Sequence, residues 1–546
     1  MSLNQVKTRY GVLQGEELCG RYEGITTFRA VPYAAPPVGK LRFMPPADPE
    51  PWEGVRDCTK FAPRPMQPNI DFSRAEPYGK DFYYQMPYPE RSEDCLYMKI
   101  TTGAASPEEK RPVYMWFHGG GLAMGYYYEI EFDPSELAKK GVIVVSVGTR
   151  LNVFGYLCLP QLKEEQGGIC GNYGLKDSLK ALEWVYENIA AFGGDPDNIT
   201  IGGQSGGTAK ATALALTPQQ KGKVKRCINQ SSLAWGSTFY SVDEACEDGQ
   251  GYLKTIGLDP DISLEELRKV DAEVFYSAPR DPNRRMPGPG ERGIGLPGNM
   301  VWDGVYIKYP THVENMAAFG GAVDYLAGGN QGEGSLRGFN DKKAFESAEE
   351  FYAFMKEKLG DLYDKYGFEE HFRVIDENAT EKSRELAAFG LSQRGGVVVN
   401  RLFGAYRAKN FPSARNFSYV FARYTPCTEE EKGTERDVHV QMAWHSSELF
   451  YTFASLRKND GAENVPPARP WTDYDVELAD IMSSYWANFI KTGDPNGEGL
   501  PYWPESREDL GYIVLGDEIT GHKGLEGPID ELCFAYLKKQ SRFPEV

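Results

Sequence analysis

The segment NITIGGQSGGTAKATALAL, Asn198 to Leu216, constrains the fold more than any other part of the chain. A short β-branched run, Ile199 to Ile201, leads into glycines on both sides of Ser205, and an Ala- and Leu-rich helical stretch follows at once. A strand that becomes a helix within so few residues has no space for side chains beside the turn. The residue at its tip must also take a strained backbone conformation. Such a turn suits a sheet of parallel strands covered by helices. It leaves a chemical question open, because Ser205 is either a small residue that suits a tight turn or an oxygen nucleophile. Gly-Ser-Gly strings occur in ordinary loops, so chemistry at Ser205 requires partners elsewhere.

The rest of the chain repeats the α/β pattern. PVYMWF (112–117) and GVIVVSVG (141–148) are β-branched and aromatic runs bounded by Pro and Gly, which predicts buried strands. In LKDSLKALEWVYENIAAF (175–192), helical spacing puts Leu175, Leu179, Leu182, Tyr186 and Ile189 on one face that packs on the sheet. VELADIMSSYWANFI (476–490) does the same with Ile481, Tyr485 and Phe489. The Pro-, Gly- and Arg-rich stretch Arg280–Asn299 reads as a long surface loop. Its G-x-G-x-x-G at Gly288, Gly290 and Gly293 has prolines where a dinucleotide site needs a strand and a helix, so no such site is assigned.

Charge and cysteine usage exclude several function classes. A net charge of −18 opposes nucleic acid and anionic membrane as partners, because the phosphate term is repulsive. No apolar run is long enough to span a bilayer. The opening MSLNQVKTRYGVLQG lacks the apolar core of a secretory signal, so a cytoplasmic protein is expected. Nine cysteines without a C-x-x-C pair read as free buried thiols rather than a disulfide framework or a zinc site. H-E-x-x-H is also absent, and neither metal nor another cofactor is expected.

A serine hydroxyl becomes a nucleophile only beside a base that a third group orients. The six histidines are 118, 312, 371, 439, 445 and 522. His118 opens HGGG (118–121) directly after a predicted strand, where successive glycines let backbone N–H groups converge on one point. Such a loop supplies oxyanion donors in esterases.

With these segments in this order, the chain resembles the type B carboxylesterases, the α/β-hydrolase family that includes the cholinesterases. FRAVPYAAPPVGKLRFMPP (28–46), SEDCLYMKI (92–100), TRLNVFGYL (149–157) and WANFIKTGDPNGEGLPYWP (486–504) are similar to family segments as well, so the resemblance covers nearly the whole chain. It implies a single α/β-hydrolase domain over 1–546, with a large, mostly parallel twisted sheet, flanking helices and long loop insertions that form an active-site gorge. It also implies that Ser205 is the nucleophile, that Glu333 in GGNQGEG is the triad acid, and that His445 in WHSSELFYTF is the general base. Gly120, Gly121 and Gly206 would donate N–H groups to the oxyanion. On residue chemistry alone, Glu333 is equally a solvated loop carboxylate, His445 a satisfied core histidine, and Glu448 a rival acid.

The implied activity is a serine carboxylesterase acting through an acyl-enzyme on small to medium carboxylic esters with hydrophobic or aromatic groups. Its partner is a small-molecule ester; a monomer is favoured over an oligomer, though no motif fixes that state. Two alternatives are an adhesion protein that keeps the fold without the chemistry, which an intact Ser205, Glu333 and His445 argue against, and a long-chain lipase, which needs a hydrophobic lid.

Several positions depart from the family pattern. Gln204 and Gly206 flank the nucleophile where Glu and Ala are usual, and Pro65 in PRPMQ stands where Cys95 would find a disulfide partner. Gln85 replaces the tryptophan with which cholinesterases hold a quaternary ammonium. Tyr78, Phe82, Tyr83, Tyr84 and Tyr88, with Tyr126, Tyr127 and Tyr128, form either an aromatic-walled entrance or ordinary packing. Arg42–Glu93 and Arg150–Asp177 resemble structural ion pairs of the family.

Overall fold

The computed structural model describes residues 3–69, 88–231, 238–276, 299–333, 348–371, 398–434, 436–456 and 469–539. Two compact units make up the chain. The first comprises Met1–Ser73, Tyr83–Ile228 and Ser237–Val323, and the second Arg74–Phe82, Asn229–Gly236 and Asp324–Val546. Residues 280–298, with Gly288, Gly290 and Gly293, and Tyr78–Tyr84 with Gln85 lie outside the described residues.

In the first unit, strands β1 (Thr26–Pro32), β2 (Tyr97–Thr102), β3 (Arg111–Phe117), β4 (Ile143–Val147), β5 (Gly194–Gln204) and β6 (Val224–Gln230, of which Asn229 and Gln230 belong to the second unit) lie in the order β6-β5-β3-β4-β2-β1. β3 runs parallel to β4 and β5, while β2 is antiparallel to β4 and β1. Every residue of β4 and the last five of β3 are buried. Strands covered on both faces read as continuous apolar runs, which is why PVYMWF and IVVSV do not alternate.

Helix α1 (Tyr173–Asn188) packs on β5 and on α2 (Gly206–Leu216). Leu175, Leu179 and Leu182 are buried as their spacing predicts. Tyr186 is not: it stands 38% exposed although 100° per residue puts it on the same stripe as the three leucines. The helix is instead covered on nearly all sides along most of its length, Trp184 opposite the leucines included, and Tyr186 emerges near its C-terminal end. Truncating a buried leucine such as Leu182 to Ala would cost about 2–5 kcal/mol.

The second unit carries β7 (Asp324–Asn330), β8 (Asn416–Phe421), β9 (Tyr512–Leu515) and β10 (Ile519–His522) in the order β10-β9-β8-β7. The first three are parallel and β10 returns antiparallel. Helix α3 (Asp473–Thr492) starts at a capping box, in which Thr472 accepts the Asp475 N–H, and ends at Gly493 in the left-handed conformation. It buries Leu478, Met482, Tyr485, Trp486 and Phe489, whereas Ile481 is only half-buried. Trp486 donates its indole N–H to Gln230 at 3.0 Å.

Candidate active site

The register of β3 and β5 sets two functional loops side by side. Gly203 pairs with Phe117 at the C-terminal ends of these parallel strands, so the turn at Ser205 and the loop that begins at His118 start from adjacent positions. Ser205 has φ 54° and ψ −122°, the strained conformation that its glycine-rich surroundings predict. A Cβ on Gly207 would stand 2.0 Å from the carbonyl oxygen of Phe117, so the helix approaches the strand only because residue 207 has none. The Ser205 carbonyl is held by the N–H and the hydroxyl of Thr208, at 3.0 and 2.6 Å. The serine itself is half-buried.

The glycine loop is pinned by its neighbours. His118 is fully buried, and its Nδ1 lies 3.0 Å from the carbonyl oxygen of Gly119. A carbonyl only accepts, so Nδ1 carries the proton. Gly120 has φ +90°, and its carbonyl accepts the N–H groups of Ala123 and Met124, both at 3.1 Å. Gln67 exchanges two hydrogen bonds with the backbone of Gly125, each 2.9 Å long. Asn152 holds the loop from the other side, donating its backbone N–H to Leu122 and its amide to Ala123. A Cβ on Gly206 would meet the nitrogens of Gly121 and Leu122 at 2.6 and 2.8 Å. The residue after the serine therefore lies directly against the loop's amides.

In the second unit the structure brings Glu333 and His445 together. Beyond β7, Gly332 donates to the carbonyl of Ala443 at 2.8 Å and bridges to Trp444, which delivers the next residue of each segment to one place. Nδ1 of His445 meets Oε2 of Glu333. The other oxygen, Oε1, accepts the Asn330 N–H at 2.9 Å. Glu333 is thus engaged at both oxygens and is no solvated loop carboxylate. With Nδ1 held by the carboxylate, Nε2 is left as the basic nitrogen.

Glu448, the rival acid, is bound elsewhere. Its Oε2 accepts from Asn330 Nδ2 at 2.6 Å and its Oε1 from the Ser231 hydroxyl at 3.0 Å. Asn330 also donates to the carbonyl of Trp444, the residue before the histidine. Burial, reinforced by the charge of Glu333, pushes the Glu448 carboxyl up to about 7. Sequence reasoning did not assign this Asn330–Glu448–Ser231 cluster; the only signal was the Asn of the N-x-x-E pattern.

Other expectations divide. Arg42 pairs with Glu93, and Arg150 holds Asp177 with two bonds of 2.9 and 2.6 Å. All nine cysteines are free. Tyr126, Tyr127 and Tyr128 do not wall an entrance: all three are buried, and the hydroxyls of Tyr127 and Tyr128 donate to the carbonyls of Arg29 and Ala62. Among the described residues no helix is long and apolar enough to cross a membrane.

A sequence profile described as the carboxylesterase family matches residues 2–527. The chain belongs to that family. This carboxylesterase is 31% identical to the para-nitrobenzyl esterase of Bacillus subtilis (strain 168), over 94% of this chain and 95% of the relative. It is 29% identical to the fumonisin B1 esterase of Sphingopyxis macrogoltabida, over 96% and 89%. The crystal structure of a carboxylesterase from Geobacillus stearothermophilus superposes with a TM-score of 0.75 at 29% identity, covering 98% of this chain and all of the other. A para-nitrobenzyl esterase structure also gives 0.75, at 28% identity, covering 99% of this chain and 100% of the other. The fold is thus that of the α/β-hydrolases, and the protein is a carboxylic ester hydrolase of the serine type.

Proposed function

We propose that this carboxylesterase hydrolyses small to medium carboxylic esters through a Ser205–His445–Glu333 triad, with all of 1–546 acting as one hydrolase domain. Ser205 Oγ bonds to the ester carbonyl carbon as its proton passes to His445 Nε2. The carbonyl becomes an alkoxide held by the N–H groups of Gly120, Gly121 and Gly206, each such donor being worth roughly 2.7–4 kcal/mol in the transition state. The intermediate collapses, His445 protonates the departing alcohol, and water repeats the sequence to free the acid and Ser205. Glu333 keeps the imidazole in the Nδ1–H tautomer and stabilises the imidazolium.

The observation that carries this reading is the contact between Glu333 and His445 Nδ1, which leaves a basic nitrogen for the serine at the strained turn. The similarity to a para-nitrobenzyl esterase supports an aromatic group on the substrate, for which the buried Tyr126–Tyr128 give no support. The nine free thiols fit a reducing, cytoplasmic setting. The test is p-nitrophenyl butyrate turnover and fluorophosphonate labelling, compared between wild type and Ser205→Ala. Both should vanish in the variant, and stoichiometric labelling of Ser205→Ala would refute the assignment. Palmitate esters turned over as fast as butyrate would favour the lipase reading.

A further inference from the structure

Helix α2 carries a residue that packing does not account for. Lys210, five positions after Ser205, is completely buried, and its ammonium has no hydrogen-bond partner among the described residues. Burying an ammonium costs several kcal/mol unless something compensates it. A methionine would fill the same space without that cost. The charged or titratable groups that act on Lys210 from its surroundings are Glu129, His118 and Asp177, the last already paired with Arg150.

A second orphan lies in the same unit. His118 donates from Nδ1 to the carbonyl of Gly119, which leaves Nε2 as a buried acceptor, and that atom has no partner either. Lys210 is near enough for its charge to act on the imidazole: burial first, then the Lys210 cation, holds His118 well below its ordinary range and hence neutral. Gly207, three residues before Lys210 on the same face of α2, packs against the His118 carbonyl, which a Cβ there would meet at 2.8 Å. The buried donor and the buried acceptor thus belong to one helix–strand contact, each without a mate, and a bridge between them satisfies both.

We propose that Lys210 is a positioning residue for the oxyanion loop, its buried amine donating through one water to His118 Nε2 and thereby fixing the Nδ1–H tautomer that anchors the Gly119 carbonyl. The consequence reaches the reaction centre through one peptide group. In a trans peptide the carbonyl of Gly119 and the N–H of Gly120 point in opposite directions, so a bond that anchors the first aims the second. Gly120 N–H is one of the three donors assigned to the oxyanion. Glu129 lies on the same side: a Cβ on Gly125 would meet both His118 Nδ1, at 2.5 Å, and Glu129 Oε1, at 3.0 Å. Burial, then the charge of Glu131, holds the Glu129 carboxyl well above its ordinary range. Burial draws the Lys210 amine down to about 7, a shift that Glu129 opposes. Glu129 Oε1 accepts the Tyr126 N–H.

This inference rests on the esterase reading, whose own failure would appear as an unlabelled Ser205, whereas the histidine tautomer is readable without turnover. Long-range ¹⁵N–¹H spectra of ¹⁵N-histidine-labelled enzyme, with His118 assigned from a His118→Asn variant, should show a neutral, Nδ1-protonated ring. Lys210→Met should mix the tautomers and lower kcat for p-nitrophenyl butyrate on the order of tenfold at unchanged KM, less than loss of a whole donor costs. It should weaken a trifluoromethyl ketone, which mimics the alkoxide, by a similar factor. Lys210→Arg should recover part of each. An Nε2-protonated His118 in the wild type overturns the proposal, as does wild-type kcat and ketone affinity in Lys210→Met, or lost kcat with the tautomer unchanged. Should Lys210→Met fail to fold, as judged by thermal denaturation, the wild-type tautomer and Lys210→Arg decide the matter.

Discussion

A Cβ placed on Gly206 would lie 2.6 Å from the backbone nitrogen of Gly121, so the glycine after the nucleophile and the glycine loop are fitted to each other. The atoms in the way are backbone, already fixed by Gln67 and Asn152, and they do not swing aside as a side chain would. Alanine, usual at this position in the resembling family, is therefore the wrong residue here. Gly206→Ala is expected to cost about 1–3 kcal/mol of stability, as overpacking does. Displacing two amides should also lower kcat roughly 10- to 100-fold. Thermal denaturation and p-nitrophenyl butyrate kinetics check this, and a variant indistinguishable from wild type would show that the loop does not bear on residue 206.

Glu333 shares its two oxygens between His445 and the Asn330 backbone, and both roles need an acceptor. Glu333→Gln keeps the shape but lets an amide N–H face Nδ1, which favours the wrong tautomer. A loss of ~10⁴-fold in kcat is expected, by analogy with the same change in a serine protease triad. Fluorophosphonate labelling should slow in parallel. Retention of a tenth of the activity would remove Glu333 from the triad.

Gln204 is buried before the nucleophile, with its Oε1 2.8 Å from where a Cβ of Gly119 would be. Within the proposed mechanism, a carboxylate in its place favours the imidazolium form of the base, which then loses its proton only at higher pH. Gln204→Glu should accordingly move the acid limb of the kcat/KM profile upward. An unmoved limb would mean that residue 204 does not act on the base.

Glu448 makes stability depend on pH in the direction opposite to most carboxylates. Its pKa is raised from 4.5 to about 7 in the folded protein, so the native state keeps a proton that the unfolded chain releases. Its contribution is therefore full below pH 4.5, declines as pH rises to about 7, and is constant above that. Glu448→Gln cannot ionise. Its melting temperature relative to wild type should climb between pH 4.5 and 7 and then level off; a difference independent of pH would contradict the raised pKa.

Legibility in the sequence followed the range of the interactions. The turn at Ser205 is readable because steric exclusion acts within a few residues, and the buried strands because β4, Ser146 apart, and most of β3 are apolar. Glu333 and His445 are singled out only by their match to segments of the resembling family, and the parallel bridge at Gly332 and Trp444 is what makes them neighbours. The Asn330–Glu448–Ser231 cluster was not readable as a cluster, since three remote segments meet there and, although Asn330 and Glu448 fall in short patterns, nothing local marks Ser231 or joins the three. Lys210 sat among alanines and threonines as an ordinary helix former; its burial is a property of the packed helix. Tyr126–Tyr128 show the converse limit, since an aromatic run has the same spacing whether it lines a cavity or fills a core.

Ser205 holds a backbone shape that costs any residue other than glycine on the order of 1–3 kcal/mol. The most stable version of this chain is consequently not the one that works. Selection for heat resistance alone, blind to turnover, should replace Ser205 with glycine, and so discard the enzyme in the course of improving the protein.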